Sequence, residues 1–176
     1  MAEVIGIGHQ RSRGIKSGVV VDIAAAEQSI RACVDTAERQ AGLTIESLIV
    51  SVTAGRLKSL RGKADLTVAG AEVSPADLRR VLNQAARTQM SQGRVALHSV
   101  PFDLSLDGEG GLDDPIGMMG EMLGAELHVL TAEETPLRNL EAAINRAHLV
   151  VEAFVAAPYA SGLATLVEDE ARMGSA

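Results

Sequence analysis

Short β-rich runs alternate with amphipathic helical patterns along the sequence, and this alternation is the feature that most constrains the fold. Residues 3–8 and 18–22 are predicted to form two strands of a hairpin. A helix is predicted to begin after Asp22, a favourable N-cap residue, and to end at Gly42. Residues 47–53, SLIVSVT, are almost continuously apolar, which predicts a strand covered on both faces of its sheet.

A second block follows a polar and basic stretch, Arg56 to Lys63, which we interpret as a joint between subdomains. Residues 64–73 are predicted to form a strand. The next helix has a strong start signal: Ser74 suits the N-cap, Pro75 suits the first helical position, and Asp77 completes an acidic variant of the capping box.

The remainder of the sequence continues the same alternation. The predicted elements are strands at 94–101 and 102–106 around a kink at Pro101, a Gly- and acid-rich loop at 107–124, a strand at 126–130, a helix from 135, a strand at 149–157 and a helix at 159–173. We therefore predict an α/β (α+β) fold with three segments: 1–57, an inserted small α+β unit at 58–149, and a return to the first subdomain at 150–176.

Composition excludes several classes of function. The formal net charge of −7 argues against nucleic acid and against attachment to an anionic membrane. An RNA-binding surface built on Arg11, Arg13 and Lys16 would also lack aromatic residues for stacking, since the chain has one Tyr and two Phe. No apolar run approaches the roughly 20 residues that span a bilayer. The single cysteine, Cys33, is expected to be a packing residue in a reducing cytoplasm.

The stretch GIGHQRSRGIKSG, from Gly6 to Gly18, raises the question of a phosphate-binding loop. Gly6 and Gly8 form G-x-G, but no third glycine follows at the dinucleotide-binding spacing. Phosphate loops usually lead into a helix N-terminus, whereas these glycines lead into another strand. We therefore favour a hairpin over a phosphate cradle.

Other candidate sites are weak. The histidines have no metal-ligand spacing to one another or to the cysteine; they are His9, His98, His128 and His148. A calcium site on Glu109, Asp113 and Asp114 lacks the alternating acidic pattern, so a solvated loop is favoured. The acidic run at 168–170 is interpreted as a solvated helix face. We expect no catalytic, cofactor-binding or metal-binding residue in this chain.

The order of the segments resembles a known family. VIGIGHQRSRGIKSGVVVD, SLIVSVTAGRLKS, EVSPADLRRVL, RVALHSVPFDLSLDG, DPIGMMGEMLG and AAPYASGLATLVEDEARMG are similar to the first part of the FtsA family, the actin-like proteins of bacterial cell division. The resemblance covers essentially the whole chain. It implies that 1–57 and 150–176 are pieces of the first actin-type subdomain, with its ribonuclease H-like sheet, and that 58–149 is the inserted SHS2 module. It also implies that the chain is a fragment.

The resemblance implies a scaffold role. Members of the family bind ATP with magnesium, polymerise, and link the FtsZ ring to the inner face of the cell membrane at the division site. Expected partners are other FtsA subunits, FtsZ through regions outside this chain, and cytoplasmic segments of membrane division proteins. The family's two phosphate loops, D-x-G-[ST] and D-x-G-G-G-T, do not occur in this sequence. We therefore expect a non-enzymatic interaction module; the alternative is an ATP-dependent switch enzyme whose nucleotide loops lie outside the chain.

Partner contacts are predicted on exposed sheet edges of the middle block and on its DPIGMMG loop. Methionine-rich surface adapts to different partners, and an exposed edge accepts an added strand. The predicted partner-binding residues are Asp114, Pro115, Gly117, Met118, Met119 and Gly120.

Overall fold

The computed structural model describes residues 3–53, 55–88, 90–167 and 170. In chain order its elements are β1 (Ile15–Lys16), β2 (Val19–Val20), α1 (Ile23–Ala41), β3 (Ser47–Val52), β4 (Lys58–Thr67), α2 (Pro75–Arg87), β5 (Arg94–Leu106), β6 (Met122–Glu133), α3 (Glu134–Arg146), β7 (Val150–Ala156) and α4 (Ala157–Thr165). The mixed α/β class predicted from the sequence is confirmed.

The chain divides into two compact units. Residues 1–56 and 133–176 form one, called here the split unit, and residues 57–132 form the other, called the inserted unit. The first predicted boundary, after residue 57, lies one residue from this division. The second predicted boundary, at 149, is wrong, because α3 packs against α1 and β7 within the split unit. Its apolar face contributes Ile144 to the core of the split unit.

Helix α1 has the termini that the sequence predicts. The Asp22 side chain accepts a hydrogen bond from the backbone N–H of Ala25 at 3.0 Å. At the other end Gly42 adopts a left-handed conformation with φ 71° and donates its N–H to the carbonyl of Glu38. Both signals depend on residues within four positions of the helix end, which explains why they can be recognised locally.

The predicted strand at residues 3–8 is not formed. The hairpin is shorter and lies later, with β1 antiparallel to β2. The segment before it lies along α1, where a β-carbon on Gly8 would come 2.0 Å from the carbonyl oxygen of Cys33. A strand needs a neighbouring strand to pair with, and among the described residues this segment has none.

The sheet of the split unit pairs β3 with β7 in parallel. One face packs under the helices, in a cluster formed by Ile144, Ala147 and Leu149 with Ile30, Val34, Ile45, Leu48, Val50, Leu140 and Val151. Ile49, in the middle of β3, is 68% exposed. The expectation that both faces of this strand are covered is therefore not met within the described part of the chain. The predicted helix 159–173 is too long: α4 ends at Thr165, and Leu166 has an extended backbone. Residues 168, 169 and 171–176 lie outside the described residues.

The inserted unit is a three-stranded sheet in the order β4-β6-β5, with α2 packed on one face. Its core contains Ala64, Val73, Val81, Ala85, Leu104, Leu106, Leu123, Ala125, Leu127 and Val129. The basic joint predicted at residues 56–63 is wrong from Lys58 onward, where β4 begins. Leu60 and Gly62 face the core while Arg61 and Lys63 are exposed, so the stretch has the alternation of an antiparallel strand.

Two further features of this unit follow from single residues. Strand β5 runs through Pro101 instead of stopping there, and it lies at the end of the sheet, where a residue without an N–H is tolerated. Gly62 allows α2 to approach β4, because a β-carbon there would lie 2.1 Å from the carbonyl oxygen of Ala85.

The capping box of α2 is confirmed: Asp77 N–H donates to Ser74 Oγ, and Ser74 N–H donates to Asp77 Oδ2, each at 3.2 Å.

Candidate protein-interaction surface

The loop between β5 and β6 is closed at its base by one carboxylate. Asp107 has a left-handed backbone with φ 52°. Its Oδ1 accepts hydrogen bonds from the backbone N–H groups of Glu121 and Met122, both at 2.8 Å. The two ends of the loop are therefore held together by bonds to a single side chain.

The second half of the loop is bonded to the segment that connects β4 to α2. Val73 N–H donates to the carbonyl of Met118 at 2.9 Å, and Gly117 N–H donates to the carbonyl of Val73 at 3.0 Å. Nearby, Gly70 N–H donates to the carbonyl of Gly120 at 2.9 Å. These bonds fix the loop backbone in the manner of a short antiparallel strand.

Four of the six residues predicted to bind a partner set the shape of this loop, and their role in partner binding stays a prediction. Pro115 is fully buried. Asp114 Oδ1 accepts from the N–H of Ile116 at 3.0 Å, as in an Asx turn. Gly117 has φ 86°, and a β-carbon on Gly120 would lie 2.6 Å from Cγ of Leu106. The burial of Pro115 and Gly120 leaves the outward side chains as the surface that a partner could contact.

The outward side chains form an apolar surface, called here the loop patch, which consists of Ile116, Met118 and Met119. They are 42%, 41% and 76% exposed. The sequence prediction included both methionines and omitted Ile116. The signal for Ile116 is the order Asp-Pro-Ile, since an Asx turn that buries the proline leaves the next side chain outside.

The sheet face opposite α2 is acidic. Lys63 Nζ lies 2.9 Å from Glu126 Oε1 across β4 and β6. The hydrogen bond and charge of Glu126 raise the pKa of Lys63, and the charges of Asp65 and Asp103 raise it further. This face includes an open groove of about 630 Å³, whose carboxylates belong to Asp65, Asp103, Asp107, Glu121 and Glu126. The surface disfavours anionic partners.

Strand β5, one of the two end strands of the sheet, is interrupted as a docking edge. Strand β5 carries exposed Val100 and Phe102 on either side of Pro101. The guanidinium carbon of Arg61 lies 5.3 Å from the centre of the Phe102 ring, a cation–π distance. Because Pro101 has no N–H, a strand added along β5 would lose one hydrogen bond there. The prediction that partners use these edges stays a prediction.

Candidate chemical sites are sparse in the described part of the chain. There, no group of three or more His, Cys, Asp or Glu side chains is arranged to hold a metal ion. His128 Nε2 pairs with Ser59 Oγ across two strands, and Cys33 is half-buried on α1. The structure has, in the same residues, no helix of the length and hydropathy that a membrane span requires. The acidic run at 168–170 falls largely outside the described residues.

Comparison with known proteins relates the chain to one family. Residues 54–131 match the SHS2 domain inserted in FtsA. The chain is 57% identical over 174 residues to the cell division protein FtsA of Agrobacterium fabrum, covering 99% of this chain and 39% of that protein. It is 36% identical over 172 residues to FtsA of Pseudomonas aeruginosa, covering 98% of this chain and 41% of that protein.

A solved structure shows the same fold at low sequence identity. The PilM-PilN type IV pilus biogenesis complex matches with a TM-score of 0.52 and 17% identity, over 91% of this chain and 40% of that chain. The segment that matches the SHS2 domain, residues 54–131, coincides with the inserted unit to within three residues at each end. The chain spans about two fifths of the length of the curated relatives it matches. It belongs, over that span, to the FtsA family of cell division proteins, and its inserted unit is the family's SHS2 domain.

Proposed function

We propose that this chain is part of a cell-division scaffold in which the inserted unit is the protein-interaction module and the loop patch is its principal contact. The proposal rests on the combination of a fixed backbone and exposed apolar side chains in this loop. Its backbone is bonded at the base and along one side, and yet Met119 remains 76% exposed. Exposed apolar side chains grouped on one fixed loop suit a contact surface better than scattered ones do.

The loop patch is energetically better suited to be a contact surface than the remainder of the unit. A loop that is already ordered loses little conformational entropy when it binds, so more of the contact energy is available for affinity. Methionine side chains are flexible and polarisable and can adapt to several partner surfaces. The sheet face opposite α2 is polar and acidic. It suits the rim of an interface, or the electrostatic steering of a partner, better than an apolar contact.

The relatives named as cell division proteins supply the context of the proposal. Partners would be other FtsA subunits, FtsZ, and cytoplasmic segments of membrane division proteins, at the inner face of the membrane at the division site. ATP and magnesium would be bound by the whole protein. The chain itself would not be an enzyme, and the lack of both phosphate-loop motifs in its sequence supports this.

Site-specific photo-crosslinking in the whole protein tests the proposal. A photo-reactive residue is placed at 119 and, as a control, at Asn83, an exposed position on α2 of the same unit. We expect position 119 to give crosslinked products in dividing cells and position 83 to give few. Equal crosslinking at both positions would contradict the assignment of the loop patch.

A charge substitution gives a second readout. Met119→Glu should weaken recruitment to the division site, because a carboxylate would be desolvated in an apolar contact. Asn83→Glu adds the same charge to the same unit and should leave recruitment unchanged. Equal effects of the two substitutions would indicate a general effect of charge and would count against the proposal.

A further inference from the structure

The split unit contains a polar concavity that the proposed function does not use. It has a volume of about 260 Å³ and is lined by Gln10, Arg11, Arg13, Gln28 and Ser29. Two of these side chains are permanently cationic, and none is a carboxylate. The lining therefore concentrates positive charge and hydrogen-bond donors in a chain whose formal net charge is −7.

The two arginine side chains in the concavity lack a protein acceptor within the described part of the chain. Among the described residues, neither guanidinium of Arg11 or Arg13 has a carboxylate within 4.0 Å or a hydrogen-bond partner. Two guanidinium groups that line one concavity without a counter-charge attract an anion.

The backbone that carries these arginines is held in place. The N–H of Arg13 donates to Ser29 Oγ at 3.2 Å, and that hydroxyl donates to the carbonyl of Ala25 at 2.9 Å. Gly8 and Gly14, on either side of the arginines, lie so close to α1 that a β-carbon on either would clash with the helix backbone. The backbone that borders the concavity is therefore fixed on α1, while the side chains of Arg11 and Arg13 are exposed.

We propose that this concavity binds a phosphate-type oxyanion through the side chains of Arg11 and Arg13, with Gln10 and Gln28 as further donors. Guanidinium groups match the geometry of phosphate oxygens and donate two parallel hydrogen bonds to them. The mode differs from the phosphate loop considered from the sequence, since here the donors are side chains and not backbone amides at a helix N-terminus. The ligand is a phosphate group in solution or the phosphate of an anionic lipid headgroup.

Titration with inorganic pyrophosphate at constant ionic strength tests the proposal, with ¹H–¹⁵N NMR spectra of the 176-residue chain as the readout. We expect saturable shifts at residues 10–13 and 28–29. The Arg11→Gln/Arg13→Gln variant should weaken binding at least tenfold, since charge-assisted hydrogen bonds are lost. Arg79→Gln/Arg87→Gln removes the same charge from α2 of the inserted unit and should bind as the unmodified chain does.

Sedimentation with phosphatidylglycerol vesicles distinguishes the two sources of phosphate. Saturable pyrophosphate shifts without vesicle binding identify a soluble phosphate compound. Vesicle binding that requires Arg11 and Arg13 identifies a lipid headgroup. Retention of dispersed spectra by the double variant shows that any loss comes from the arginines and not from unfolding. The proposal is wrong if neither probe binds, or if both double variants weaken binding equally.

Discussion

The inserted unit and the split unit bury their apolar residues to very different extents. In the inserted unit Leu123 is 0% exposed and Leu127 is 2% exposed, in the core that the sheet forms with α2. In the split unit Ile49, Val150 and Leu163 are 68%, 61% and 70% exposed. The inserted unit leaves apolar side chains exposed on its loop patch and on β5, whereas the split unit leaves them exposed on its paired strands and on α4.

The difference indicates where stability and contacts reside. A core closed on itself supports independent folding, so the inserted unit can present a fixed loop to a partner. Uncovered apolar surface on the split unit is adhesive and contributes little to its own stability. The following predictions test this contrast, beginning with the largest expected effect.

Truncation of a core residue should separate the two units most clearly. Leu123→Ala leaves a cavity in the inserted unit and should lower the free energy of unfolding by about 2–5 kcal/mol. Ile49→Ala removes an exposed side chain from the split unit and should change it by no more than about 0.5 kcal/mol. Urea denaturation of both variants measures the effect. Comparable losses would show that the contrast in burial has no energetic counterpart.

A methyl group added beneath α2 should be the next largest effect. Gly62→Ala would place a β-carbon 2.1 Å from a backbone oxygen of α2, and the helix must move away. We expect a loss of about 1–3 kcal/mol, measured by thermal denaturation. Thr67→Ala, on the exposed side of the same strand, is the matched control and should cost at most about 0.5 kcal/mol. An unchanged stability for Gly62→Ala would mean that α2 does not pack this closely.

Removal of the N-cap of α2 should have a moderate effect. Ser74→Ala deletes the hydroxyl that accepts from Asp77 N–H and should cost about 1 kcal/mol of stability. Ser74→Asn keeps an acceptor at the N-cap and should restore most of it. If both variants lose the same amount of stability, the hydroxyl matters for a reason other than capping.

Acid titration should give the smallest effect. Hydrogen bonds from the hydroxyl and backbone N–H of Ser74 lower the pKa of Asp77, and Arg80 adds to this. A lowered folded-state pKa means that the stabilisation is fully present above the ordinary value of 3.8 and disappears as the pH falls through the lowered one. The melting temperatures of the wild type and Asp77→Asn should therefore differ at pH 6 and converge toward pH 2. A constant difference would contradict this account.

Features with local causes could be predicted from the sequence. The cap at Asp22, the stop at Gly42 and the capping box at Ser74 and Asp77 depend on a few neighbouring residues, and all are present. The family resemblance was also readable, since it rests on motifs distributed over the chain.

Features with distant causes could not be predicted. Strand β4 begins at Lys58 because β6 pairs with it, and the basic side chains there concealed the alternation. Likewise α3 belongs to the split unit because α1 and β7 cover its apolar face. The DPIGMMG loop could be recognised from the sequence as a candidate contact segment. The burial of Pro115 could not, because it depends on backbone hydrogen bonds to Val73, more than 40 residues earlier.

The most direct test of the central claim is the NMR spectrum of residues 57–132 expressed alone. The paired ends of β4 and β6 place the two termini of this piece on adjacent strands. If the inserted unit is a complete interaction module, its ¹H–¹⁵N spectrum should be dispersed and should overlay the same residues in the whole chain, including Met118 and Met119. A collapsed spectrum, or a displaced loop, would show that the module and its loop patch depend on the split unit, and would contradict the account.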